Sequence, residues 1–275
     1  QSRSSAASDV YKRQILFLTA CSKDKDDAIT ITGDYFPSSL NNYWNYDVKS
    51  TDNGTKINTS TQDFISVDSG TATNFKLDAN NGNIANGVMN TILTNGQLIR
   101  TGSELLINGK LEIPITGFET LSIPLVNAIL YDLNANNGST LSIFEGELTQ
   151  VLNDLPFTLV YKLSFNKGQN QNSLKVKTVA YNKVTSTNIN LNLTIKTEIT
   201  INNIVKELTV LNAQDLLSVK AYYGENVGLL LSDAVVNFEL DADTVSVLKL
   251  AGIELNAPVK QSITSKEELS SYKVN

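Results

Sequence analysis

Apolar and polar residues alternate along most of this chain with a period of two. The longest run is "NINLNLTIKTEITI", where Ile189, Leu191, Leu193, Ile195, Ile199 and Ile201 fall on one parity. Asn190, Asn192, Thr194, Lys196, Glu198 and Thr200 fall on the other. Side chains of an extended strand point alternately to its two faces, so this spacing predicts a half-buried strand. At roughly 3.3 Å per residue it would reach roughly 40 Å, long for a globular strand and suited to a broad curved sheet. Asn202 and Asn203 follow, a residue type that tolerates positive φ, and "IVKELTVL" returns, which predicts a tight hairpin.

The same alternation runs through "YWNYDVKS", "TQDFISVDS", "NFKLDAN", "FTLVYKLSF", "LKVKTVAY", "LLSVKAYY" and "VVNFELD". Turn signals punctuate these runs at Asp52-Asn53-Gly54, Asn81-Gly82, Asn95-Gly96, Asn108-Gly109 and Asn137-Gly138. Successive strands joined by short turns pair antiparallel. Two short helices are expected: "DTVSVLKLAG", stopping at Gly252, and "SKEEL", where Ser265 and Glu268 have the spacing of a capping box. The fold class is therefore mainly β, a large curved antiparallel sheet or half-barrel with one or two short helices, a β-sandwich being the alternative. No Pro- or Ser-rich stretch interrupts residues 34–275, which read as one β-rich domain.

Some strands are apolar on both parities. Phe157, Leu159, Tyr161, Leu163 and Phe165 form one stripe, yet Val160 lies opposite; Leu229 and Leu231 oppose Leu230, and Val235 opposes Val236. Something must cover part of the second face: a helix, a second layer or a ligand. Two short helices are little cover for a wide sheet, so a partly open apolar groove is expected, against a closed sandwich filled by its own side chains.

Catalytic chemistry finds few of its usual residues. The chain has no histidine and one cysteine, which removes Ser-His-Asp and Cys-His nucleophiles and His-bearing metal sites. Carboxylate pairs remain: Glu145 with Glu147, Asp241 with Asp243, Glu267 with Glu268. Glu145 and Glu147 share a strand face, and the other two pairs read as helix starts, where acids favour the dipole. "DANNGN" at 78–83 and "DLNANNG" at 132–138 lack the closing glutamate of a calcium loop and read as Asx-rich turns. The reading is a non-enzyme with no cofactor and no metal. Tyr43, Trp44 and Tyr46 are candidates for stacking on sugars, but Trp44 and Tyr46 share a parity with Val48, the pattern of an inward stripe.

The segment before the alternating pattern is of another kind. "SSAASDVYKRQ" at positions 4–14 resembles a sequencing adaptor translated in frame, so 1–14 is read as an artefact and excluded from fold reasoning. "ILFLTAC" then resembles the end of a secretory signal, 15–20, running into a bacterial lipobox, Leu18, Thr19, Ala20 and Cys21. The resemblance to bacterial lipoproteins implies cleavage before Cys21 and acylation of its thiol; two or three acyl chains hold a membrane stably. Residues 21–33 read as anchor and tether, and Lys25, Asp26 and Asp27 resemble an acidic export tag of Gram-negative lipoproteins. Removing Arg3, Lys12, Arg13 and Asp9 takes the formal charge from −6 to −8. That balance argues against nucleic acid and against docking on anionic lipid by charge alone.

Two further stretches resemble segments of uncharacterised bacterial lipoproteins: "DYFPSSLNNYWNYDV" is similar to their "YFP…N-x-W-x-Y" strand, and "YYGENVGLL" to their "Y-x-x-G-V-G-L-V" hairpin. These look related to the curved half-barrels of lipoprotein carriers. The resemblance implies a compartment, the outer membrane or cell surface of a Gram-negative bacterium or its periplasmic face, with the membrane as partner through Cys21. Two functions stay open: a binding module for an apolar ligand or lipid, and a structural or adhesive protein acting on an envelope partner.

Overall fold

The computed structural model describes residues 33–275 apart from 116, 202 and 203, and apart from the side chain of Ile201. The adaptor, the lipobox, Cys21 and the Lys25-Asp26-Asp27 run lie outside the described residues. In chain order come β1 (Tyr43–Asp52), β2 (Asn58–Gly70), β3 (Asn74–Ala79), α1 (Val88–Thr94), β4 (Gly96–Thr101), β5 (Glu104–Ile113) and β6 (Leu121–Asp132). Then follow β7 (Thr140–Leu152), β8 (Leu155–Lys167), β9 (Gln171–Val176), β10 (Val179–Ile201), β11 (Ile204–Gly224), β12 (Gly228–Glu239), α2 (Ala242–Leu250) and β13 (Lys260–Lys273).

All the strands belong to one antiparallel sheet of order β6-β5-β4-β3-β2-β1-β13-β12-β11-β10-β8-β7, with β9 paired to β10. It curls until it nearly closes. At the seam, Ile129 N of β6 donates to Ser142 Oγ of β7 at 3.0 Å, and Gln150 Nε2 of β7 donates to Glu119 O, just ahead of β6, at 3.1 Å. The expected curved antiparallel sheet is present, as one sheet and not two stacked ones.

Its inner face carries the alternating stripes. Ile189, Leu191, Leu193, Ile195 and Ile199 of β10 are buried, as are Phe157, Leu159, Leu163 and Phe165 of β8 and Trp44, Tyr46 and Val48 of β1. The aromatic cluster around Trp44 is thus core, with Phe36 at 5.1 Å from Trp44 and 6.2 Å from Phe75. Outside, the β9–β10 hairpin lies against β1 and β13, Lys177 meeting Asp47 at 2.5 Å and Tyr181 packing on Tyr272 at 6.5 Å. Leu229, Leu230 and Leu231 are all buried, whereas Val160 is half-buried and Val235 exposed.

Three local expectations need correction. "SKEEL" is no helix but the centre of β13, where Ser265, Glu267 and Leu269 alternate inward and the ladder with β1 overrides the capping-box signal. Asn108-Gly109 is no turn: it lies inside β5 at a register shift, and Gly109 faces Gly96 so closely that a Cβ there would sit 2.4 Å from Asn95 O. Asn95-Gly96 is the end of α1, a helix the periodicity did not signal. The other helix forms as expected, Asp241 capping Thr244 N at 2.8 Å and Gly252 following with φ +82°.

Candidate functional site

Helix α1 stands beside the inner face of the sheet, against β3, β4 and β5 and reaching β2 and β12. Seven residues are too few to hold a helix by backbone bonds alone, and its N-cap is Gly87, with no side-chain cap of its own. The sheet supplies the cap. Asp63 of β2 accepts from Asn86 N at 2.8 Å, Gly87 N at 2.9 Å, and the side-chain amides of Asn80, Asn86 and Asn90. Glu267 of β13 accepts from Met89 N at 2.7 Å and Asn90 N at 3.0 Å. The free donors of the first helical turn thus meet two carboxylates from strands flanking β1.

Both acids are buried, Asp63 at 1% and Glu267 at 0% exposure, and among the described residues neither forms an ion pair. They titrate in opposite directions. Burial pushes the Asp63 carboxyl up, but the donors of Asn86, Asn80 and Gly87 outweigh it and hold it below the usual aspartate range. Burial pushes Glu267 up to about 7, its two amide donors only partly offsetting that and the charge of Asp63 adding to it.

Between α1 and the opposite wall opens a cleft of about 530 Å³. Val88, Thr91 and Ile92 of α1 and Ile84 before it form one side, and Leu111 and Ile113 of β5 the next. Leu217, Val236 and Ile263, neighbours across the β11–β12–β13 ladders, form the third. Lys110 and Glu112, joined at 2.5 Å, sit at its margin with Gln261. A shallower depression of about 700 Å³ over β3–β6 is lined by polar groups such as Lys76, Gln97 and Asn108. The smaller cleft has the apolar lining and few polar groups that small-molecule sites share, and its volume is within their range of about 300–1,000 Å³.

The residues singled out from the sequence are not brought together. Glu145 is exposed and paired with Lys162 at 2.6 Å, and Glu147 lies exposed on the same face. Asp241 caps α2 and Asp243 lies in its first turn. Glu267 and Glu268 point to opposite faces, only the first into the core. Asp132 accepts from Asn134 N, two residues on, as an Asx turn does, and from Ser103 Oγ, while Asp78 accepts from Gly82 N across a four-residue loop. Tyr43 packs outside on Phe64. The parity of the pattern held a signal for the residues that do meet: Asp63 alternates with Ile65 and Val67, and Glu267 with Leu269, so each acid stands where an apolar residue belongs.

Lys167 is a second buried charge, fully enclosed, its ammonium donating to Thr185 Oγ1, which donates to Asn170 Oδ1. Burial pushes it down to about 8 against the pull of Asp132. Comparison of the chain with protein-family models, curated proteins and solved structures finds no match.

Proposed function

We propose that this protein is a non-catalytic binding module that takes a small apolar ligand, a lipid chain or similar molecule, into the cleft beside α1. The observation that carries the reading is the lining: Val88, Ile92, Leu111, Ile113, Leu217, Val236 and Ile263 converge on one partly enclosed space of about 530 Å³. Apolar surface that stays wet at such a site is stabilised by an apolar occupant at roughly 25 cal/mol per Å² buried. The cleft takes up only part of the concave face, because the sheet curls round and fills most of its interior with its own side chains. The reading extends to an envelope lipoprotein held to the outer membrane or cell surface through an acylated Cys21, on the lipobox resemblance alone.

The test is direct. The purified chain is extracted for co-purified lipid and titrated with an uncharged phenylnaphthylamine dye, alongside Val236→Trp, which fills the cleft from its wall. Saturable dye binding weakened at least about tenfold by the tryptophan supports the reading. No extracted lipid together with no saturable binding rejects it. A surface-interaction role then becomes the better account, favoured by Val151, Ile204, Val205 and Leu250, which stand 61–89% exposed.

A further inference from the structure

We propose that Glu267 and Asp63 form a proton-sensitive latch on α1: with a proton on Glu267 the helix is held against the sheet, and loss of that proton loosens the helix and widens the cleft it walls. The role as a gate rests on the ligand-binding reading above; the latch itself does not.

The geometry carries the argument. Asp63 and Glu267 lie on the inner face of strands either side of β1, opposite Tyr46 and Val48 in its two ladders. Among the described residues, the backbone and amide donors to these two carboxylates come from α1 or from residues 80–87 leading into it, and the Ser232 hydroxyl of β12 also faces Glu267. Gly87 passes so close that a Cβ would sit 2.3 Å from the Glu267 carboxyl carbon. The groups facing Glu267 are Asp63 of β2, Tyr46 of β1, Tyr223 of β11, Ser232 of β12 and the Met89 and Asn90 amides of α1. Asp63 is the only formal charge among them, and it has the same sign.

Two ionised carboxylates buried together without a cation repel each other and are cut off from bulk solvent, which opposes ionisation of the second. A neutral Glu267 avoids that cost, although the Met89 and Asn90 amides and the Ser232 hydroxyl beside it favour the ionised form and offset part of it. Moving α1 away admits water to Glu267 and returns its affinity for a proton toward the ordinary glutamate value. By linkage, the open form binds the proton less tightly, so raising the pH favours opening and lowering it favours closure.

The experiment is amide hydrogen exchange on the full chain from about pH 5 to pH 8, corrected for the intrinsic pH dependence of exchange. Protection at residues 89–95, relative to β1 and β13, should fall at least about tenfold as Glu267 ionises, its carboxyl carbon being followed by NMR in the same samples. Glu267→Gln should leave α1 protected throughout. Asp63→Asn, which removes the facing charge, should move the midpoint to lower pH. Should either variant fail to fold, the wild-type comparison still decides: protection changing less than about twofold across the Glu267 titration overturns the latch. The phenylnaphthylamine dye, titrated in parallel, separates the two readings. An affinity that follows the Glu267 midpoint supports the gate. No dye binding at any pH rejects the ligand site while the exchange result judges the latch; binding independent of pH, with flat protection, rejects the latch and keeps the site.

Discussion

Tyr46 donates its phenol hydroxyl to the carbonyl of Leu229 at 2.9 Å, joining residues 183 positions apart. Beside it the Trp44 indole donates to Val227 O. The aromatic strand near the start and the hairpin near the end of the domain are thus held together by two buried side-chain to backbone bonds. Tyr46→Phe keeps the ring and removes the donor, and should cost about 1 kcal/mol. Trp44→Phe removes a donor and leaves a void, and should cost about 1–3 kcal/mol. Denaturant midpoints at constant m-value measure both.

Gly87 is fixed by space and not by its backbone angles, which lie in the extended region. Gly87→Ala should therefore destabilise by about 1–3 kcal/mol, the scale of overpacking a buried site. The loss should appear first as faster amide exchange in α1.

Global stability should depend on pH through the same carboxyl. The folded value of Glu267 is raised from 4.5 to about 7, so the native state binds its proton more tightly than the unfolded chain. Its contribution is therefore full below about pH 4.5 and is lost as pH rises through about 7. Unfolding free energy should fall by on the order of 3 kcal/mol across that window, and Glu267→Gln should abolish the slope. Asp63 has the opposite sign: its folded value is depressed, so its contribution holds above the ordinary aspartate value and is lost in stronger acid.

Lys167 gives a contrasting case. Its folded value is lowered from 10.5 to about 8, so the buried ammonium opposes folding below about pH 8, and stability should rise from there toward pH 10.5. Lys167→Met should be neutral or stabilising at pH 7, and that rise should vanish. Thermal melts at about pH 7 and pH 10 distinguish the outcomes.

Cys21 is tested independently of the fold. With a complete export signal placed ahead of Ile15 and expression in a Gram-negative host, the chain should incorporate a palmitate analogue and partition into detergent. Cys21→Ser should do neither. Labelling that persists in the variant would remove the anchor from the account.

The strands were legible because alternation is a local property: β1, β8 and β10 bury the parity their sequences mark. What stayed hidden was set by residues far apart in the chain. The stretch 88–94 has no amphipathic period and no capping side chain, and it is helical because carboxylates from β2 and β13 meet its first turn. Conversely, "SKEEL" has a local helix signal, and pairing with β1 and β12 cancels it. The near-closure of the sheet was likewise not local, since β13 must reach β1 and β6 must reach β7. Two acids on inward parities were the visible trace of the candidate site, a conflict between pattern and residue type that only a tertiary partner resolves.

β13 lies between β1 and β12, and without it the sheet falls into two meanders, β1 to β6 and β7 to β12, each with a bare edge. Timing follows from that position. A chain emerging from the ribosome or crossing a membrane N-terminus first has every other strand available before the fourteen residues of β13 arrive. Closure is therefore a late event between segments more than 200 residues apart in sequence, the kind of contact that slows folding most. Until then the edges of β1 and β12 are templates for any free strand, including β13 of another copy, so a truncation or tag at the last strand should act on folding yield and strand exchange well before it acts on the cleft.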